Sequence, residues 1–277
     1  MSSTATVSQY FGMHSKQPWL VLRAAKEFSI VPSDDPNISH FYGFEAASSS
    51  SSTLTIPDGC VDILFDCDET NPSARVYGTP VVAGIVDLEE GHHYLGVRFS
   101  PGVVPDFLKV SANELVDATY DFFEVVPHAE WLFEKVVCQK DFASQVELLE
   151  LFLSEHAIPR SSSKLTLPVV RRICQQEGNI CIKDLEVMTG YTSRTLQRSF
   201  KSDMGMSPKA FSRIIRCQSA VYKIHHGRVG FSDLAFELGF SDQSHFLREF
   251  KRLVSATPLD YQNKVQQQNF VDKIRLF

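Results

Sequence analysis

One unit occurs twice in the last hundred residues, and no other feature of the chain limits its fold so strongly. The first copy places Ile182, Leu185, Gly190, Tyr191, Leu196 and Phe200 ahead of Gly205 and Pro208, and the second places Phe231, Leu234, Gly239, Phe240, Phe246 and Phe250 ahead of Ser255 and Pro258. The offset is 49 residues at Leu185/Leu234 and Gly190/Gly239 and 50 at Phe200/Phe250, so one residue is inserted between them. Two matched units predict a repeated supersecondary structure. In each, a short apolar-periodic helix stops at a glycine able to take the left-handed conformation, and an aromatic follows it into the core. Thr192 or Ser241 then stands where an N-cap is wanted, and a second helix begins. That is the grammar of a helix-turn-helix. Pro208 opens a helical stretch between the copies, through Phe211, Ile214, Ile215, Ala220, Val221 and Ile224. Its roughly eighteen residues span about 27 Å.

The second helix of each unit carries the chemistry. Its exposed positions are Arg194, Gln197, Arg198 and Lys201 in the first copy and Gln243, Ser244, Leu247, Arg248 and Lys251 in the second. Arg and Gln have bidentate geometry for guanine and adenine edges, Leu or Ser can touch a thymine methyl or a nearby edge, and Lys suits phosphate. One such helix alone reads as a solvated face, because these residues are good helix formers that need no partner. Two copies behind matching turns favour DNA. The connecting helix predicts recognition helices about one duplex turn, ~34 Å, apart, able to enter successive major grooves.

Charge supports the same partner. The chain has 277 residues and a net charge of −6, but residues 1–160 hold 9 basic and 23 acidic side chains, a net of −14, whereas 161–277 hold 18 and 10, a net of +8. Such asymmetry predicts two domains, 1–160 and 161–277, the basic one suited to a polyanion. The boundary falls in Pro159, Arg160 and Ser161 to Ser163, a short polar linker. No apolar run approaches a membrane span, and no charged segment followed by an apolar one opens the chain, so no membrane partner and a cytoplasmic location are expected.

The acidic half shows short apolar or alternating runs broken by turn residues: Phe41–Phe44, Leu54–Ile56, Val61–Phe65, Val81–Ala83 and Tyr94–Phe99. These predict a small antiparallel β-barrel or sandwich. After Gly102 the period changes, and Val104, Phe107 and Leu108, then Trp131 to Phe133, then Phe142, Val146, Leu149 and Leu153 predict helices packed on the sheet. The last set also fits a heptad seam, but Leu148, Leu151 and Phe152 widen the stripe, so a core-facing helix is expected over a dimer contact. His92 and His93 invite a metal reading, yet adjacent strand residues point to opposite faces. No metal site or cofactor is expected. Asp58, Asp62, Asp66 and Asp68 fit either a cation site or a solvated outer strand face. Six cysteines without a C-x-x-C pair read as reduced thiols, and Cys60 and Cys67, with acids and no bases near them in sequence, as inert ones. Ser48 to Ser52 read as a solvated loop.

The run Gly239–Lys251, with Thr257 and Pro258 downstream, closely resembles the signature of the AraC/XylS family of bacterial transcriptional regulators, over about residues 165–264. The resemblance implies an all-α C-terminal domain with two helix-turn-helix units joined by a linker helix. It implies that Arg194, Gln197, Arg198, Gln243, Ser244 and Arg248 face bases, and that Ser241 and His245 lie near phosphate. More loosely, Ile56–Phe65 and Val97–Gly102 resemble an uncharacterised cupin-like sensing domain over about residues 40–125. Two residues depart from the repeat. Glu186 stands where Ala235 permits close helix approach, which bears on the packing angle of the first unit, and Ser255 replaces the glycine supplied by Gly205, tolerable if its φ stays negative.

The expected whole is a multidomain α+β, effector-responsive regulator and not an enzyme, with no catalytic residues. Its partners are double-stranded promoter DNA and RNA polymerase, with room for an unidentified small-molecule effector and a homodimer. The coupling would run through ligand-dependent dimerisation or release of a contact between the oppositely charged halves. The alternative is a cupin-like metal-dependent enzyme or sensor module with an attached DNA-binding domain. For that alternative the acidic half offers only His14, His40, His128 and His156 besides His92 and His93.

Overall fold

The computed structural model describes residues 25–47, 52–156, 164–227, 230–266 and 274–277. The linker at Pro159 to Ser163, the opening 24 residues and Ser48 to Ser51 lie outside the described residues. The N-terminal part contains strands β1 (Ala25–Pro32), β2 (Ile38–Ala46), β3 (Ser52–Thr55), β4 (Asp62–Asp66), β5 (Ser73–Tyr77), β6 (Gly84–Asp87), β7 (His93–Phe99) and β8 (Thr119–Asp121). Helices α1 (Ala112–Leu115), α2 (Phe122–Val125), α3 (Glu130–Cys138) and α4 (Phe142–His156) accompany them. A seven-stranded sheet has the order β8-β5-β4-β7-β2-β1-β9, where β9 is Ile274–Leu276, and β3 pairs with β6 in a two-stranded sheet facing it. All pairings are antiparallel except that of β9 beside β1. The expected antiparallel, helix-backed architecture is present.

The large sheet is covered on both faces, and the period-2 alternation of its strands sorts the residues between them. Phe41, Ile63, Phe65, Val76, Leu95, Val97 and Phe99 face the helices, in one core with Phe107, Phe122, Leu132, Val146, Leu149 and Phe152. Burying each such phenylalanine contributes roughly 1.5–3 kcal/mol. Helix α4 therefore lies with its apolar stripe on the sheet, and Gly43 has no room for a Cβ because the Phe142 ring is there. Two expectations were wrong in detail. Val81–Ala83 is a bend before β6, with Val82 exposed. Val104, Phe107 and Leu108 lie in a turn-rich segment and not in a helix, because Pro101 and Pro105 interrupt the backbone hydrogen bonding a helix needs.

The C-terminal part is helical: α5 (Thr166–Gln175), α6 (Ile182–Thr189), α7 (Ser193–Met204), α8 (Pro208–His226), α9 (Phe231–Glu237), α10 (Gln243–Val254) and α11 (Pro258–Gln266). The first half of α8 (Phe211, Ile214, Ile215) completes one core with α5, α6 and α7. Its second half (Cys217, Ala220, Val221, Ile224) completes another with α9 and α10. One helix of 19 residues, ~28 Å long, thus serves both units.

The two parts dock through apolar surface. The second-unit core is continuous with Phe28, Tyr42, Phe44 and Ile56 of the N-terminal part. Gln218 on α8 is buried and donates to Pro57 O at 2.7 Å, while Gly59 (φ +82°) sits so close to the Phe211 ring that an added Cβ would lie 2.4 Å from it. Gly102 (φ +82°) meets Val170 and Met204 in the same way. Among the described residues the ion pair that crosses over is the exposed Arg275–Glu27, at the strand the chain end adds to β1.

Candidate nucleic-acid interface and N-terminal cavity

Local chemistry builds both helix-turn-helix units. Gly190 (φ +73°) ends α6, its N–H donating to Glu186 O at 2.8 Å. Thr192 then caps α7, accepting from Thr195 N. In the second unit Gly239 (φ +71°) makes the turn, but the cap is Asp242, which accepts from His245 N at 2.7 Å. Ser241 is one residue too early and instead donates to Asp242 and sits 3.1 Å from His245 Nδ1. The His245 N–H holds the Asp242 carboxyl below the usual carboxylate range. A carboxylate is the stronger acceptor at a helix N-terminus, where the dipole favours negative charge.

Both departures from the repeat acquire a structural account. Glu186 does not wedge the helices apart: its carboxylate accepts from Ser193 N at 2.5 Å, a second cap on α7 supplied from α6. Ser255 adopts positive φ (+55°), in the left-handed region as the C-cap of α10, so the condition of a negative φ is not met, although the turn still forms. Its N–H still closes on Lys251 O at 2.9 Å, which is what the C-cap turn requires.

The inward faces are Leu196, Phe200 and Met204 on α7, and Phe246, Phe250, Leu253 and Val254 on α10. Arg194, Gln197, Arg198 and Lys201 are exposed on α7, as are Gln243, Ser244, Arg248 and Lys251 on α10. Gln197 Nε2 donates to Ser193 Oγ. Leu247 and His245 are half-buried: Leu247 packs on the second-unit core, and His245 stands edge-on to Phe240. The units are braced by residues the repeat does not reveal. Arg216 on α8 donates to Gly178 O at 3.0 Å and Gly239 O at 3.2 Å and lies over the Phe240 ring. Arg213 forks onto Glu249 of α10.

On the other face of the large sheet lies a half-open cavity of about 490 Å³, bordered by β3 and β6. At its floor the half-buried Arg98 donates through Nε and Nη2 to both oxygens of Asp62, each at 2.8 Å, and through Nη1 to Asp58 at 3.0 Å. Tyr42 donates to Asp62, its ring lying where any side chain at Gly96 would be. Burial pushes the Asp62 carboxyl up against the pull of Arg98, while for Arg98 the facing carboxylates outweigh burial and hold the guanidinium charged. The reading of Asp62 as a solvated outer position is therefore corrected: it faces inward, onto a partner 36 residues away. Arg98 is also a basic neighbour of Cys60, yet burial dominates and raises that thiol well above its ordinary range; burial likewise pushes Cys67 up to about 12. His92 pairs with Asp66 and borders a second cavity, whereas His93 borders another, on the opposite side of the sheet. Among the described residues no three metal-ligating side chains converge.

Two helix-turn-helix units on one shared helix define a bipartite helix-turn-helix module. Residues 186–264 match the family model of a helix-turn-helix domain, and residues 32–121 match that of a domain of unknown function (DUF6597). Over 81 residues the chain is 30% identical to the HTH-type transcriptional activator RhaS of Klebsiella pneumoniae (strain 342), covering 29% of each chain. It is 33% identical over 67 residues, 24% of each chain, to RhaS of Escherichia coli (strain K12 / DH10B). The chain thus matches under a third of the length of these curated relatives. A probable AraC family transcriptional regulator from Rhodopseudomonas palustris CGA009 is 27% identical with a TM-score of 0.33, over 37% of this chain and 98% of that one. ToxT from Vibrio cholerae O395 is 12% identical with a TM-score of 0.42, over 89% and 100%. Residues 186–264 are thus similar to a helix-turn-helix domain, and the segment before them is similar to a domain of unknown function.

Proposed function

We propose that this chain is a sequence-specific DNA-binding regulator of transcription, not an enzyme, which reads two successive major grooves with α7 and α10. The observation that carries the reading is the repeated exposure of Arg and Gln side chains on two capped helices that share one linker helix. Arg194, Gln197, Arg198, Gln243, Ser244 and Arg248 read base edges, Leu247 offers a partly buried apolar contact, and Lys201, Lys251, Ser241 and His245 lie toward phosphate. Promoter DNA and RNA polymerase are its partners, and the cytoplasm is where it meets them. Among the described residues no helix is long and apolar enough to cross a membrane.

The N-terminal domain senses a small-molecule effector in the cavity above Arg98. Its reply reaches DNA through the turn Pro57 to Cys60, which carries Asp58 on the cavity side and rests against Gln218 and Phe211 of α8. The test is fluorescence anisotropy on duplex from upstream of the protein's own gene against scrambled duplex at two salt concentrations. Preference for the upstream duplex and a steep fall with salt are expected. Arg248→Ala and Gln243→Ala each lower the preference by about 1–3 kcal/mol, whereas Lys251→Ala weakens all duplexes alike and lowers the salt slope by about one. Wild-type selectivity in both reader variants would refute the assignment.

A further inference from the structure

The cavity restricts what the effector can be. Its walls combine aromatic rings with an excess of acid. Tyr42, Phe44 and Tyr77 line it, and among the described residues the charged groups around it are Asp58, Asp62 and Asp117 against Arg98. Beyond Leu64, Tyr77 and Val86, which the two spaces share, lies a second cavity of about 450 Å³. Its described walls add Asp66, Asp87 and Glu89 against Arg75 and His92. Both spaces therefore face an entering molecule with more carboxylates than guanidinium groups.

Arg98 does not change that sign for a ligand. Three of its N–H directions are committed to Asp62 and Asp58 at 2.8–3.0 Å. An anionic ligand would compete with two buried carboxylates already held on the guanidinium. A cation is attracted by the charge left over when Asp58, Asp62 and Asp117 face one guanidinium, and the negative faces of the aromatic walls stabilise it further.

We infer that the cavity takes a small organic cation, an amine carried on an aromatic or otherwise apolar body, and discriminates against carboxylates of the same shape. This rests on reading the N-terminal domain as a sensor. The volume is in the range that encloses ligands of this size. The body fills the apolar space between the two sheets, beside Leu64 and Val86, and the ammonium group turns toward the carboxylates.

Three probes that share one ring system test it: tryptamine, tryptophol and indole-3-acetate, which differ in charge at the end of a short arm. Each is titrated calorimetrically into the full-length protein. The expected result is saturable binding of tryptamine, weaker binding of tryptophol by about tenfold, and no binding of indole-3-acetate over the same range. Asp62→Asn is a poor probe by itself, because it leaves half-buried Arg98 short of a partner. Asp117→Asn in this cavity and Asp87→Asn in the adjoining one, both at exposed positions, lower the negative charge an entering molecule meets without that cost. They are expected to weaken tryptamine several-fold and leave tryptophol unchanged. Binding of indole-3-acetate as tight as tryptamine, the absence of tryptamine binding, or equal effects of the variants on tryptamine and tryptophol would overturn the inference. Duplex binding is measured on the same protein. Failure of cation selectivity in a sample that binds duplex refutes the ligand class alone, and failure to bind duplex refutes the regulator reading whatever the titration shows.

Discussion

Arg216→Ala is the perturbation that most directly tests whether the two helix-turn-helix units work as one rigid reader. The guanidinium ties Gly178, just ahead of the first unit, to Gly239, in the turn of the second, and covers Phe240. Each bond from a charged donor to a backbone carbonyl contributes about 1.5 kcal/mol and the ring contact about 0.5–1 kcal/mol. Burial acts against these gains: it pushes the Arg216 pKa down, and Nε is buried with no hydrogen-bond partner among the described residues. The net loss on truncation is about 2 kcal/mol, or ~30-fold in an equilibrium constant. Equilibrium urea unfolding measures the stability term. Anisotropy on duplexes carrying one or both half-sites measures the functional one, since a loosened brace penalises only simultaneous docking. Arg216→Lys, which cannot span both carbonyls, is expected to recover no more than half of the loss. Unchanged stability in Arg216→Ala, or equal loss of affinity on single and double half-sites, would refute the brace.

Two further outcomes follow from local geometry. Ser255→Gly removes a side chain from a left-handed residue (φ +55°) and is expected to stabilise the protein by about 1 kcal/mol. Ser255→Ala should give no such gain, and equal urea midpoints for the two variants would show that the turn carries no strain. His92 has its pKa raised, first by its hydrogen bond to Asp66. Its contribution to stability is therefore present below its unfolded pKa of about 6.5 and lost as pH rises through the higher folded value. His92→Gln should narrow its stability gap to wild type across that window. A gap independent of pH would disprove the linkage, and an NMR titration of the imidazole gives the folded value directly.

What the chain determines by itself is whatever depends on neighbours a few residues apart. Gly190 and Gly239 stop helices, Thr192 caps one, and Leu196, Phe200, Phe246 and Phe250 recur at helical spacing, so both helix-turn-helix units and their exposed Arg and Gln faces are legible in the sequence. Alternation likewise revealed strands β2, β4 and β7, because a strand's two faces differ within five residues. Alternation cannot say which face looks inward when both are covered. Asp62 looked solvated because its partner Arg98 and its neighbour Asp58 become adjacent only when β4 pairs with β7. Ser241 rather than Asp242 looked like the cap because either could serve, and the choice rests on a backbone turn whose register packing sets. Glu186 reads as an intrusion in the repeat, and only the packing of α6 against α7 shows its carboxylate accepting from Ser193 N. The seat of α8 on Pro57 and Gly59 joins residues some 160 positions apart, and the pairing of Ile274–Leu276 with Phe28–Ile30 of β1 joins residues still further apart. No sequence pattern encodes such pairs. They are decided by which surfaces remain unburied after the local elements have formed, a property of the whole fold.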